Sequence, residues 1–135
     1  MREILFRGKS YYDGDWLYGT VLFLETADMK EKYVAISPIL DGVSSYKEIE
    51  RVVPETVGQF TGLTDKNGTK IFEGDIVNIL PEVDEIGVIE WADDEAMFEV
   101  VAGGWCGNFD NYLPEDLEVI SNIHDNPELM EVDNG

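Results

Sequence analysis

Basic side chains are scarce in this chain: nine lysines and arginines stand against 29 acidic residues, for a formal charge of −20 over 135 residues. Such a surface repels phosphate backbones and anionic headgroups, both of which favour basic patches. Direct binding to nucleic acid or to a membrane is therefore not expected. The charge fits a soluble protein, or one drawn to a basic protein surface, and it taxes self-association unless a contact has an apolar centre or salt screens it. Cysteine is nearly absent too. Cys106, between Trp105 and Gly107, is the single one, which excludes an intrachain disulfide framework. No histidine neighbours it to activate the thiol. The start, MREILFRGK, has basic residues but no apolar stretch of signal length, and nothing in the chain approaches a membrane span. A cytoplasmic protein is expected.

What the chain does hold is apolar and aromatic content, 44% and 11% respectively, enough for a proper core in one domain or two small lobes sharing one. Short β-type runs separated by turn clusters dominate. Residues 4–6, 17–24 and 33–36 read as strands, with Asp13-Gly14-Asp15 a turn between the first two and Pro38 ending the third. Residues 40–51, LDGVSSYKEIER, are polar with no decided pattern and read as a surface loop with a helical turn. Residues 51–53 and 57–60 are further extended pieces.

The clearest local pattern is VGQFTGLTDKNGTKIFEGDIV, residues 57–77. Asp65-Lys66-Asn67-Gly68 carries Asp at the first turn position and Gly where a positive φ is needed, which suits a type I turn closed by a glycine bulge. A two-residue Asn-Gly turn competes, and the two differ by one step in register: the bulged form sets Leu63 against Ile71, the other sets it against Phe72. The strand over 71–80 is interrupted by Gly74-Asp75, as at a bulge or a close backbone approach. Residues 81–87 form an acidic turn. Strands over 88–91 and 97–101 follow, joined by the acidic tip 92–96. The order EGDIV, acidic loop, GVIEW, loop, MFEVV suggests a small, bent barrel of SH3 type. Residues 105–113 form an aromatic loop, 113–116 a helical turn and 117–120 a strand. Asn126-Pro127-Glu128 opens a short terminal helix. The expected fold is thus mainly β: an N-terminal β-rich part (1–56), a barrel-like β region (57–125) and a short helix with tail (126–135), folding together as one unit.

Chemistry-bearing constellations are few. The acidic groups Asp13 and Asp15; Glu82, Asp84 and Glu85; and Asp93, Asp94 and Glu95 fall at hairpin tips, where solvated acids are the ordinary reading. A calcium loop begun at Asp65 would need its glycine sixth, and here the glycine is fourth. His124 is the only histidine, so a zinc site lacks partners. Ser10, Ser37, Ser44, Ser45 and Ser121 occupy no nucleophile elbow, and GGWCG is followed by no dinucleotide-binding unit. No catalytic residue, metal or cofactor is expected. Trp91, Trp105, Phe109 and Tyr112, beside glycines, read either as a plug closing a barrel mouth or as a candidate contact surface.

Three blocks carry a resemblance to a known family: Arg2-Glu3-Ile4-Leu5-Phe6-Arg7 with Trp16-Leu17-Tyr18-Gly19; residues 57–77; and Glu118-Val119-Ile120-Ser121-Asn122-Ile123-His124-Asp125-Asn126-Pro127-Glu128-Leu129. In this order, and over nearly the whole chain, they resemble the YopX family of phage and prophage proteins. Residues 25–50 and 81–109 carry none of its words, and Ser121 stands where the family usually has glycine. The resemblance implies a β-rich fold, residence in a bacterial cytoplasm and a tendency to homo-oligomers, and supplies no activity. Gly58, Thr61, Gly62, Leu63, Asp65, Gly68, Gly74 and Asp75 are its signature, read here as turn, bulge or turn-flanking residues that specify the fold. The expected function is non-enzymatic and self-associating, acting through protein contacts. The alternatives are an acidic DNA mimic that occupies a host DNA-binding protein with a basic surface, and a metal-assisted enzyme of nucleotide metabolism.

Overall fold

The computed structural model describes residues 3–40, 43–44, 48–79, 85–93, 96–102, 105–108 and 116–130, with the backbone alone at 40, 43–44 and 105–108. The chain divides into two compact units, Met1–Phe60 and Thr61–Gly135. Both are antiparallel β structure, as the turn-punctuated sequence requires, and the helical content of the described residues is short 3-10 turns. None of their helices is long and apolar enough to cross a membrane.

In the first unit, β1 (Phe6–Lys9), β2 (Trp16–Glu25) and β3 (Lys32–Leu40) form consecutive hairpins, and β4 (Val43–Ser44) and β5 (Glu50–Arg51) both pair with β3. The opening residues of β6 (Gly58–Thr64) lie on the other side of β1, pairing Arg7 with Gly58 and Phe6 with Gln59. Strand β1 begins two residues later than the pattern 4–6 suggests and runs through Arg7. That arginine is buried because its guanidinium lies 4.6 Å from the centre of the Trp16 ring, so a charged residue continues the strand. The turn to β2 closes with the Ser10 N–H on the Asp15 carbonyl at 2.8 Å and the Gly14 N–H on the Ser10 carbonyl at 3.0 Å.

Pro38 does not end β3. It pairs opposite Gly19, where an added Cβ would stand 2.1 Å from the Ser37 carbonyl oxygen and 2.9 Å from the proline Cα. The missing side chain lets the two backbones approach, and the ladder continues past the proline. Residues 40–51 likewise contribute the two short strands β4 and β5 where a loop with a helical turn is expected. Ala35, Ile36 and Val52 are wholly buried in this unit.

The second unit contains the rest of β6, then β7 (Lys70–Phe72), β8 (Asp75–Ile79), β9 (Glu85–Ala92), β10 (Met97–Ala102), β11 (Trp105–Asn108) and β12 (Leu117–Asn122). A five-stranded sheet takes the order β11-β10-β9-β8-β12. The meander β8–β9–β10 follows the expected sequence of strands, but the barrel does not close. The last strand returns beside β8, leaving β11 and β12 at opposite edges. Strand β11 also replaces the first part of the expected aromatic loop. Ile71, Val77, Ile79, Ile89, Val100, Ala102 and Leu117 form the core, with Phe98 and Val119 packed against it. Each large aliphatic side chain buried this way contributes about 1.5–3 kcal/mol of transfer free energy. Where a short terminal helix is expected, the described residues form a single 3-10 turn, Pro127–Met130.

Candidate functional site

The signature segment holds a carboxylate, that of Asp65, which accepts three backbone N–H groups. The Gly68 N–H reaches the Asp65 carbonyl at 3.0 Å, and the Asp65 N–H reaches the Thr69 carbonyl at 2.8 Å. With Gly68 at a φ of 82°, this is the bulged closure. A two-residue Asn-Gly turn would pair Lys66 with Thr69, whereas the Lys66 N–H donates instead to the Leu117 carbonyl on β12 at 3.2 Å.

Asp65 turns that closure into a clamp. Its Oδ1 accepts the backbone N–H groups of Asn67 and Thr69 at 2.8 and 2.9 Å, and its Oδ2 accepts that of Val119 at 2.8 Å. One side chain thereby ties the hairpin tip to a strand 54 residues away in sequence. Lys66 Nζ, 2.9 Å from Glu118 Oε2, adds an ion pair along the same seam. Burial pushes the Asp65 pKa up, but the donors from Val119, Thr69 and Asn67, with Lys66 nearby, outweigh it and hold the carboxyl below its ordinary value. The group is charged, satisfied and turned inward. Three of its roughly four lone-pair sites are taken by backbone N–H groups.

The other signature residues are similarly engaged. Gly58 is buried opposite Arg7. The Thr61 hydroxyl donates to the Ile71 carbonyl at 2.8 Å, next to Gly62 at a φ of 95° and a half-exposed Leu63. Gly74, at a φ of 91°, donates its N–H to Ile89 at 2.7 Å and accepts one from Ile123 at 2.9 Å. Asp75 is fully buried, with its Oδ2 accepting the Phe72 N–H at 2.7 Å. His124 sits against this turn: a Cβ on Gly74 would lie 3.4 Å from its Nε2.

The aromatic set is only partly placed. Trp91 is 43% exposed and meets Phe98 edge-on, with ring centres 5.1 Å apart across the β9–β10 pair. Trp105 lies on β11, and its side chain, like Phe109 and Tyr112, lies outside the described residues. Glu82, Asp84, Asp94 and Glu95 lie outside them as well. Among the described residues no group of three histidines, cysteines, aspartates or glutamates could hold a metal ion.

A cleft that the sequence pattern does not reveal opens in the first unit. It encloses about 440 Å³ between Tyr12, Thr26, Tyr33, Ile49, Glu50 and Arg51. The Arg51 guanidinium lies 4.3 Å from the ring centre of Tyr11 and 5.4 Å from that of Tyr33, and its Nη2 donates to Glu31 Oε1 at 2.5 Å. That hydrogen bond raises the Arg51 pKa further, so the cation is already partnered. With no thiol or imidazole among its lining residues, the cleft offers the faces of Tyr12 and Tyr33 for contact beside the Glu50 carboxylate and the ion-paired Arg51. Only the clustering of tyrosines before Asp13 hints at it in the sequence.

The crystal structure of protein EF1440 from Enterococcus faecalis is similar to this chain: 29% sequence identity, a TM-score of 0.58, and coverage of 97% of this chain and 100% of that one. No curated protein matches the chain. The family described as "YopX protein" matches residues 5–131, a span that includes the turn built on Asp65 and the strand it clamps. The chain belongs to the YopX family.

Proposed function

We propose that this protein is non-enzymatic and self-associating, and that it works through protein contacts made mainly by its first unit. One observation carries the reading. Of the eleven large apolar side chains exposed among the described residues, seven lie within residues 1–60: Ile4, Tyr11, Tyr12, Tyr18, Phe23, Met29 and Ile49. Exposed apolar groups in that density are what contact surfaces are built from. Charge points the same way. Residues 1–60 carry seven of the nine basic side chains and ten of the 29 acids, so their balance is −3, while residues 61–135 carry −17. Copies meeting through the first unit bring little like charge into the contact itself. The inward commitment of Asp65 and Asp75 and the ion-paired state of Arg51 further favour contact over catalysis. A phage or prophage product acting in the bacterial cytoplasm is the setting that accompanies this reading. Light scattering at tens of micromolar and moderate salt tests it: an assembly is expected, and a clean monomer overturns it.

The same polarity of charge favours a second reading, in which the acids of residues 61–135 imitate DNA and occupy a basic host protein. Capture from host lysate at two salt concentrations tests this. A basic DNA-binding protein retained only at the lower salt supports it, and retention of none removes it.

A further inference from the structure

Strand β2 is longer than the strands that flank it. Its first four residues, Trp16–Gly19, pair with β1, and only Gly19 of these is also paired with β3; β1 stops there while the β2–β3 ladder runs on from the Gly19–Pro38 pair to the Glu25–Lys32 pair. Across the segment Val21–Glu25, β3 is the only strand paired with β2 among the described residues. On its far side β3 is met by Arg51 and Glu50 at Ala35 and Ile36, with Val52 bonded to Val34. The end of the hairpin is therefore a two-stranded ribbon.

Edges of this kind are ordinarily blunted by lysine, proline, a bulge or short length. The β3 side follows the rule, with Glu31 and Lys32 at its open end. The β2 side does not. Val21-Leu22-Phe23-Leu24 is uncharged, its register with β3 is unbroken, Phe23 is 83% exposed and Met29 at the ribbon's tip is 80% exposed. A shallow apolar groove of about 370 Å³ runs beside it, lined by Phe23, Leu24, Tyr33, Val34 and Pro54, with Glu25 and Lys32 at its margin.

We propose that this edge pairs antiparallel with the same edge of a second copy, so that two β2–β3 ribbons join into one continuous sheet. The occupant follows from the chemistry of the segment. A two-fold pairing centred on Phe23 engages all five residues and sets Phe23 against Phe23, Leu22 against Leu24 and Val21 against Glu25. No two like charges face one another. The groove beside each edge supplies an apolar seat for the aromatic side chain brought by the other copy. A strongly basic partner, by contrast, would be drawn to the residues carrying −17 rather than to an uncharged edge within the unit whose balance is −3. This inference rests on the self-association proposed above and names the surface responsible.

The test uses the full chain and its Phe23→Lys variant, compared by sedimentation across a concentration series, together with amide hydrogen exchange of the parent at low and high concentration. Phe23 is exposed, so the variant should melt like the parent. Its dimer dissociation constant should rise by about tenfold or more. In the parent, amides within Val21–Glu25 should gain protection as concentration rises. An assembling parent whose affinity is indifferent to Phe23→Lys, with exchange at Val21–Glu25 independent of concentration, overturns the edge pairing and leaves self-association standing through another surface. A parent that stays monomeric overturns both. Should the variant misfold, the exchange measurement on the parent decides alone.

Discussion

Replacing Asp65 by asparagine should destabilise the second unit by about 2–3 kcal/mol at neutral pH. Asparagine keeps the shape and one carbonyl oxygen. That oxygen can still accept from the N–H groups of Asn67 and Thr69, which Oδ1 now holds at 2.8 and 2.9 Å. The amide nitrogen must then replace Oδ2, 2.8 Å from the N–H of Val119, and an acceptor becomes a second donor. Turning the amide over would rescue the bond to Val119 and lose two others. One charge-assisted hydrogen bond is therefore lost outright, worth about 1.5–3 kcal/mol, and the remaining two weaken with the loss of the full charge.

The pH dependence separates this account from a merely steric one. Asp65 has a folded-state pKa below its ordinary value. Its stabilisation is thus complete above the unfolded pKa of about 3.9 and is lost as pH falls through the lower folded value. Urea unfolding of parent and variant, followed by circular dichroism at pH 7 and at steps down through the acid range, gives the difference directly. General effects of neutralising a chain of charge −20 are nearly common to both proteins and largely cancel. A gap of about 2–3 kcal/mol that narrows on acidification is expected. A variant as stable as the parent, or a gap that stays constant down to the onset of acid unfolding, would refute the clamp.

Gly68→Val should cost about 1–3 kcal/mol through the positive φ alone, since nothing lies within 4 Å of the added Cβ; an unchanged urea midpoint would mean the turn does not need this conformation. Gly19→Ala should be worse, at about 3 kcal/mol or more, because the new methyl meets backbone rather than a movable side chain; a thermal melt within about 2 °C of the parent would disprove the close approach of β2 and β3. Raising salt from low ionic strength to about 0.5 M should tighten self-association, by screening repulsion between chains of charge −20; sedimentation showing weaker assembly at high salt would instead indicate a contact held by ion pairs.

The local grammar of turns is legible in the residues themselves. Asp65-Lys66-Asn67-Gly68 indicates a bulged hairpin because the relevant bonds span four residues and depend on conformational preferences that Asp and Gly carry with them. The β-rich character is legible for the same reason, through alternation and punctuation. Non-local choices are not. Nothing at Arg7 announces that Trp16 will cover it, so the pattern of the first strand ends at the charge while the strand itself does not. Nothing at Pro38 announces Gly19 across the ladder. The open sheet, too, is hidden, because the return of β12 beside β8 is a long-range pairing, and a lone aspartate in a turn shows no sign of a third donor 54 residues away on that strand. For the candidate contact surface, tryptophans beside glycines are the conspicuous feature of the sequence, while an ordinary-looking run, Val21-Leu22-Phe23-Leu24, carries the exposed edge. Its hydrophobicity reads as core in sequence, and only the shortness of β1 reveals that, among the described residues, it is paired with a strand on one side alone.

Charge and hydrophobicity divide between the two units in a way that bears on how such a protein could assemble without precipitating. An uncharged edge strand with an exposed phenylalanine invites indiscriminate pairing, and a molecule with little net charge and that edge would aggregate. The balance of −17 on residues 61–135 opposes this. Each added copy increases the repulsion between chains, whereas the direct gain from edge pairing is satisfied once two edges have met. A two-fold contact consumes both edges and leaves none for a third copy. Short-range attraction that saturates, set against repulsion that accumulates, favours a small closed assembly over a filament. Lowering the pH toward the chain's isoelectric point of about 4.1 removes the repulsion while leaving the edge intact. Light scattering should therefore show growth beyond the small assembly in that range, and Phe23→Lys should suppress it. Equal growth in parent and variant would assign the aggregation to loss of charge alone.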